Sequence, residues 1–580
     1  MNGASKPGLG TPGRSEKILF WASFLTLIAA GIGFSIRGAI LGLWSQQFGF
    51  TMSELGGITG GGLVGFGITI IALSFFADRV GYGPLMALAF LLHFSSAVVT
   101  LAATPIFNAF GKEATYWCLY VGMFLFSLGN GTCEAVINPL TATLFPRNKT
   151  HWLNILHAGW PGGLVLGALL GVIFEKVGGI RWEIQMVTFM VPVLAYGVLM
   201  LGRRFPRSEA SVSGINLRSM MQEIGLLGAA VACLLLGLWL SGICDGAGLP
   251  GAIGWVLAAG LLVVFGYFSA FRVGHWMLAF LFLIHALVGS VELGTDSWIS
   301  LITGKIMENK TSGLLLFIWT SGLMFVLRFF AGPIVHKISP VGLLLVSAVL
   351  GCTGLLLLGQ ANGVLFCILA ATVYGFGKTF LWPTMLGVAS ERFPRGGALA
   401  LGTVGGIGML SAGLLGGPGI GYGQDYFASR QLQEAAPDTY QRYKSDDKNT
   451  FLFFPAISGL DGSRVATLKT DGAQLQADIA ALERSGRTLA DDKNLEKLAT
   501  WWEKAKGYAK EDVGPVTKAE LYGGQMALTY TAGIPATMAL CYLLLFLYFK
   551  ARGGYKAEVL VGHDAVDEEF TGGTEGPGEG

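Results

Sequence analysis

Long apolar runs separated by short polar connections recur at roughly 18–45, 53–77, 84–104, 115–142, 151–174, 182–202, 220–243, 251–271, 276–302, 312–336, 340–358, 363–389, 397–421 and 526–549. A bilayer core about 30 Å thick takes roughly 20 apolar residues in a helix. The pattern therefore predicts an all-α integral membrane protein of about 14 helices. Short connections make neighbouring helices antiparallel, and each must close its own backbone hydrogen bonds because lipid offers no partner. One connection, 422–525, is long and polar. Apolar residues recur there every three or four positions around Gln474 to Ser485 and Leu495 to Lys510, so it reads as mainly helical.

Composition sharpens this division. Of 580 residues, 52% are hydrophobic and only 13% charged, about half the usual charged share of a soluble protein. Residues 1–421 hold 22 Lys/Arg and 14 Asp/Glu, whereas 422–580 hold 17 and 23. A membrane body is thus followed by a segment of soluble composition, and no concentrated basic face points to nucleic acid. The seven cysteines lie in or at the ends of apolar runs and give neither a disulfide framework nor a paired-cysteine metal site. With no nucleotide loop, zinc motif or nucleophile triad either, the sequence predicts no enzyme, catalytic residue, bound metal or cofactor.

Charge also predicts orientation. With the N-terminus cytoplasmic, the inner segments carry 17 basic residues against 5 in the short outer loops, a positive-inside bias. The first run, preceded by Lys6, Arg14 and Lys17, exceeds a signal-peptide core of roughly 7–15 residues and reads as an uncleaved helix. The expected layout is a cytoplasmic tail 1–17, a six-helix half 18–202, and a linker with two inserted helices 203–275. A second six-helix half 276–549 follows, interrupted by the external insertion 422–525, and then a disordered cytoplasmic tail 550–580 rich in glycine and acid. Both termini are expected in the cytoplasm and the protein in the plasma (inner) membrane, with 422–525 open to an external partner.

Local sequence suggests that the six-helix pattern occurs twice. Ser74 to Gly81 after the second helix has a counterpart in Gly332 to Ser339 after the tenth. Gly129-Asn130-Gly131, Pro139 and Phe145-Pro146 are echoed by Gly375-Phe376-Gly377, Pro383 and Phe393-Pro394. Such halves resemble the major facilitator transporters, whose substrate site lies at mid-membrane between them. Asp78-Arg79-Val80-Gly81 resembles that superfamily's signature loop, with Ser74 in place of its leading glycine. Gly129 to Pro139, followed by Leu153 to Trp160, is similar to the fourth and fifth helices of the fucose-galactose-gluconate proton symporter (fucose permease-like) family. The resemblance implies alternating access, a protonation site at Glu134, and cavity positions at His157 and Trp160. The first-helix acid of that family is absent: Gly38 stands there, beside Arg37.

Ionisable groups deep in apolar runs are costly and face the bundle interior or a wet cavity. Here they are Arg37, Glu134, Glu292, Asp296, Arg328 and Lys378. Glu134 shares a helix face with Asn138, next to Pro139, and the two readings for it are a proton carrier and a permanent salt bridge to Arg37. Glu292 and Asp296, one turn apart, read as a sodium site, a proton site or acceptors for sugar hydroxyls, with Asp296 at the outer mouth as the plain alternative. Lys378 and Trp382 line a cavity or pack at an interface, and Arg328 reads as a structural ion pair. His93 and His285 read as helix-contact residues, and the glycine runs 60–62 and 402–408 as close-packing surfaces.

Aromatic rings beside polar groups suit sugars, so the expected substrate site comprises Arg37, Asn138, Asn154, His157, Trp160, Glu292, Asp296, Trp298, Lys378 and Trp382. Glu134 is the expected proton-coupling residue, and Asp78 with Arg79 the expected gate. The cargo reads as a small polyhydroxylated solute with H+ coupling, Na+ remaining open. The alternatives are a carboxylate or sugar-acid carrier held by Arg37, Lys378 and Arg328, and a transporter-derived receptor sensing through 422–525.

Overall fold

The computed structural model describes residues 13–48, 50, 55, 57–59, 62–178, 180–484, 488–561 and 564–569. Lys6, Gly60, Gly61, Ser485 and the last ten residues, on which parts of the sequence reading fall, lie outside the described residues. The first half consists of α1 (Arg14–Phe48), α2 (Gly62–Val80), α3 (Tyr82–Leu101), α4 (Ala103–Leu144), α5 (Lys149–Val177) and α6 (Trp182–Met200). The inserted pair is α7 (Leu217–Gly246) and α8 (Ala252–Phe268). The second half contains α9 (Trp276–Ile306), α10 (Lys310–Arg328) and α11 (Pro340–Leu358). Its remaining spans are each built of two joined helices: α12 (Val364–Lys378) with α13 (Leu381–Arg392), α14 (Gly397–Ser411) with α15 (Gly417–Ala435), and α16 (Ala509–Thr531) with α17 (Gly533–Ala551). Among the described residues, 12 helices are long and apolar enough to cross a membrane. The fourth predicted run lies inside α4, and the eighth forms the 17-residue α8.

Glycine sets the breaks that apolar composition alone does not show. Gly111 in α4 has φ 80°, so the chain turns at the end of the bundle before the buried stretch carrying Glu134 begins. Gly225 in α7, with φ 58°, lies so close to the 272–274 segment that a Cβ would stand 2.1 Å from the Gly274 nitrogen. The N–H groups freed at this break, of Leu226 and Leu227, donate to Arg272 O and Val273 O at 2.9 and 3.1 Å.

The halves meet along two seams. In one, α2 packs on α14, with a Cβ on Gly67 falling 2.8 Å from Gly406 O and one on Gly402 falling 1.6 Å from Ser74 Oγ. The glycines of 402–408 are therefore a close-packing surface. In the other, α5 packs on α10 and α13.

The insertion corrects the expected boundary at 422. A π-helical turn, Ala412–Gly416, joins α14 to α15, which runs on to Ala435. The residues after 421 are polar but helix-compatible, and Pro437 is the first breaker. On the return side, α16 starts at Ala509 and continues through α17. Between these stalks, Ala473–Arg484 and Lys493–Ala505 are the expected helices. The domain has its own core, including Leu432, Tyr443, Val465, Leu468, Trp502 and Val516. Buried Asp512 ties it together, accepting from Thr439 Oγ1 at 2.7 Å and from Arg442 Nε at 2.8 Å.

The tail is a second correction. Lys556–Val561 and Asp564–Glu569 pair as an antiparallel hairpin where disorder was expected. Contacts made by the residues leading into and along the first strand offset the glycine and charge content of this segment. Tyr555 OH donates to Glu391 Oε2 at 2.8 Å, Arg392 Nη1 donates to Lys556 O at 2.6 Å, and Leu560 N donates to Glu209 Oε1 at 3.3 Å. We call the end of the bundle carrying this hairpin the terminal end.

Candidate functional site

A cavity of about 860 Å³ opens between the halves at the end opposite the hairpin. Its walls include Phe34, Ser35, Gly38 and Gly42 of α1, Trp160 and Leu164 of α5, Gln185 of α6, Asp296, Ser297 and Ser300 of α9, and Phe317 of α10. The walls combine aromatic rings with three serine hydroxyls and one amide, and among the described lining residues Asp296 alone has an ionisable side chain. Asp296 forms an ion pair with Lys378, whose side chain is fully buried behind it and near the Tyr374 ring.

Beneath the cavity runs a buried polar chain that crosses from one half to the other. Asn138 Nδ2 donates to Glu134 Oε2 at 2.6 Å, and its Oδ1 accepts from His157 Nε2 at 2.9 Å, so Nε2 carries the proton. The His157 ring also lies 4.0 Å from Glu134 Oε2. The His157 carbonyl then accepts from Arg328 Nη1 of α10 at 2.6 Å, and Arg328 Nη2 donates to Glu292 Oε1 of α9 at 3.1 Å. Glu134, Asn138, His157, Arg328 and Glu292 are all buried. Buried carboxylates need such partners, since an unpaired charge in apolar surroundings costs several kcal/mol.

From His157 toward the terminal end, one face of α5 closes on the second half. Asn154 Nδ2 donates to Thr384 Oγ1 at 3.1 Å, Thr150 Oγ1 to Glu391 Oε1 at 2.6 Å, and Lys149 Nζ to Ser390 O at 3.2 Å. These residues recur at helical spacing and form a stripe. On the other seam, Asp78 Oδ2 accepts from Ala398 N at 3.3 Å, next to the first turn of α14. The path from the cavity to the terminal end is closed, so this is the state open at the opposite end.

Several expected assignments change. Arg37 does not meet Glu134: Nη2 donates to Ser96 Oγ at 2.8 Å, and its guanidinium lies over Phe126 at 3.9 Å. It is held inside the first half because Gly38, one residue on, takes the cavity-facing position. Asn154 belongs to the seam rather than the cavity. Trp298 points away from the cavity, its Nε1 donating to Gly417 O at 2.8 Å, and Trp382 packs on His285 with rings 4.6 Å apart. Glu292 and Asp296 each take their own basic partner, Arg328 and Lys378 respectively. Arg79 is exposed and without a polar partner among the described residues, so of the expected gate only Asp78 touches the other half. The sequence reading missed the central place of Arg328, and the cavity residues Ser35, Gln185, Ser297 and Ser300, whose short or neutral side chains give no charge signal.

Asp78 leads to a direct expectation. A carboxylate at a helix N-terminus is worth about 1 kcal/mol. Asp78→Asn is therefore expected to shift the balance between end-open states roughly fivefold toward opening at the terminal end. Transport rate would fall more than cargo affinity, and equal loss of both would exclude a gating role.

The sequence matches the Major Facilitator Superfamily model over residues 23–419. The chain belongs to that superfamily and is a multi-pass membrane transporter, not an enzyme. Among solved structures it resembles the transporter FucP in the outward conformation, with 14% identity and a TM-score of 0.52 over 71% of this chain and 93% of that one. FucP is the fucose:proton symporter of E. coli. It also resembles the human organic anion transporter TETRAN, with 13% identity and a TM-score of 0.53 over 91% of this chain and 99% of that one. The proton:xylose symporter XylE aligns with 15% identity and a TM-score of 0.50 over 68% of this chain and 86% of that one. At these identities the likeness concerns the fold. No curated protein matches the sequence.

Proposed function

We propose that the protein carries a small uncharged polyhydroxylated solute by alternating access, coupled to a proton at Glu134, across a plasma (inner) membrane with both termini in the cytoplasm. The observation that carries this reading is that the cavity wall and the buried Glu134–Asn138–His157 chain share α5, with cavity-lining Trp160 three residues from His157. Sugars present C–H faces for stacking and hydroxyls for hydrogen bonding, and Phe34, Trp160, Ser35, Gln185, Ser297 and Ser300 offer both kinds of partner. FucP and XylE, described as sugar:proton symporters, lend the same direction.

A sugar-acid cargo is less well supported. Arg37 is turned into the first half, Arg328 donates to three groups below the cavity, and Lys378 is paired with Asp296. No basic side chain is among the described cavity walls. The separate pairing of Glu292 and Asp296 likewise favours a proton over sodium.

Purified protein in vesicles tests the proposal. Addition of neutral sugars or polyols to one side is expected to acidify the opposite lumen in step with their entry, while the corresponding acids compete weakly. Uptake driven by sodium at constant pH, or transport of the acids alone, would overturn it.

A further inference from the structure

Arg328 sits where two helices have each lost a backbone hydrogen bond. In an α-helix the N–H of residue i+4 closes on the carbonyl of residue i. For His157 that partner is Pro161, and for Thr379 it is Pro383; neither proline has an N–H. Arg328 takes both stranded carbonyls: Nη1 donates to His157 O at 2.6 Å and Nε donates to Thr379 O at 2.7 Å. Nη2 donates to Glu292 Oε1 at 3.1 Å. One planar guanidinium thus fastens a break in α5, on the first half, to the junction of α12 and α13 and to α9, on the second.

We propose that Arg328 is a positioning residue that latches the terminal-end seam closed, and that Pro161 and Pro383 are the other half of the latch because they leave the carbonyls that it grips. The bond to His157 O joins the halves just below the cavity floor, so it must break before the carrier opens to the terminal end. Without the prolines, each carbonyl would accept its own helical N–H, and the guanidinium would compete for an acceptor already satisfied. The same bond places the peptide of the residue whose ring faces Glu134 and Asn138, so release of the latch also moves the proposed proton site. The inference rests on the alternating-access part of the reading above, not on the identity of the cargo or the coupling ion.

The test uses full-length protein, at fixed pH and without cargo, in a background lacking the native cysteines. Ser300→Cys in the cavity wall and Ala142→Cys, buried beside the seam at the terminal end, report the two openings through their rates of alkylation. Pro161→Ala and Pro383→Ala remove no side-chain contact of Arg328 and return an N–H to the helix, so the fold is expected to hold, as a melting curve would verify. Each is expected to speed alkylation of Ala142→Cys and slow that of Ser300→Cys by about tenfold, the worth of one charge-assisted hydrogen bond. Arg328→Lys keeps the charge beside Glu292 but lacks the planar fork, and it should produce the same shift. Adding Pro161→Ala to Arg328→Lys should change little further, because both remove one interaction. Unchanged alkylation in the folded proline variants, or shifts that simply add in the double variant, would overturn the latch. Failure of the proton or sugar reading would leave these rates as predicted.

Discussion

Glu134→Gln is expected to uncouple the carrier without emptying it. Glutamine keeps the shape of the side chain and an oxygen to accept from Asn138 Nδ2, which lies 2.6 Å from the carboxylate. The neighbouring His157–Asn138 bond is also preserved. What is lost is the ability to change charge, so the variant behaves as the permanently protonated carrier. Such a carrier binds solute and exchanges it across the membrane, but it cannot make the empty return step that follows proton release. One proton moving down a pH gradient of one unit supplies about 1.4 kcal/mol, enough for roughly tenfold accumulation at one-to-one coupling. Native protein should approach that ratio, and Glu134→Gln should fall to about one while retaining counterflow. Continued accumulation would move the coupling site elsewhere, with Glu292 the next group along the buried chain. Loss of counterflow as well would assign Glu134 to cargo binding or folding.

Much of the architecture is legible because lipid imposes a simple rule. A helix must be about 20 apolar residues long, and among the described residues 12 helices meet that requirement. The insertion is harder to place because the helix of α14 and α15 does not stop where the apolar residues stop. Composition marks a change of solvent, whereas helix ends require a breaker, and the first proline after the apolar residues stop is Pro437.

The candidate site divides in a similar way. A charge in an apolar run reveals that a helix has an inward face, but not which neighbour that face meets. Arg37 and Gly38 differ by one position, about 100° around the helix, and that step separates an aromatic nest inside the first half from the open cavity. Glu134 and Asn138 were readable because both partners lie on one helix at i, i+4. Arg328 was not readable as a hub, since its acceptors are backbone carbonyls contributed by two distant segments. The available signal was the proline four residues after each acceptor, Pro161 after His157 and Pro383 after Thr379.

The largest stability effect is expected at the Asp296–Lys378 pair, and it should be asymmetric. Lys378 is fully buried, whereas Asp296 lines the cavity, its side chain 12% exposed. Asp296→Asn leaves an ammonium in the bundle without its anion, and removing one partner of a buried pair costs about 3–5 kcal/mol. Glu292, one turn away, already serves Arg328, whose Nη2 donates to its Oε1, so it offsets only part of the missing charge. Lys378→Met should cost less, since the freed Asp296 carboxylate can be hydrated from the cavity. The double variant Asp296→Asn with Lys378→Met removes both charges and should recover most of the loss, because a neutral replacement of similar volume is often tolerated. Thermal melting of the three purified variants checks the order: Asp296→Asn lowest, Lys378→Met intermediate, and the double variant nearest the native protein. Equal losses for both single variants would mean that the lysine reaches water by a route other than the cavity. If the double variant regains stability but no longer takes up solute, the pair contributes a charged contact to the cargo; if uptake returns with stability, its part is to hold α9 and α12 together beneath the cavity.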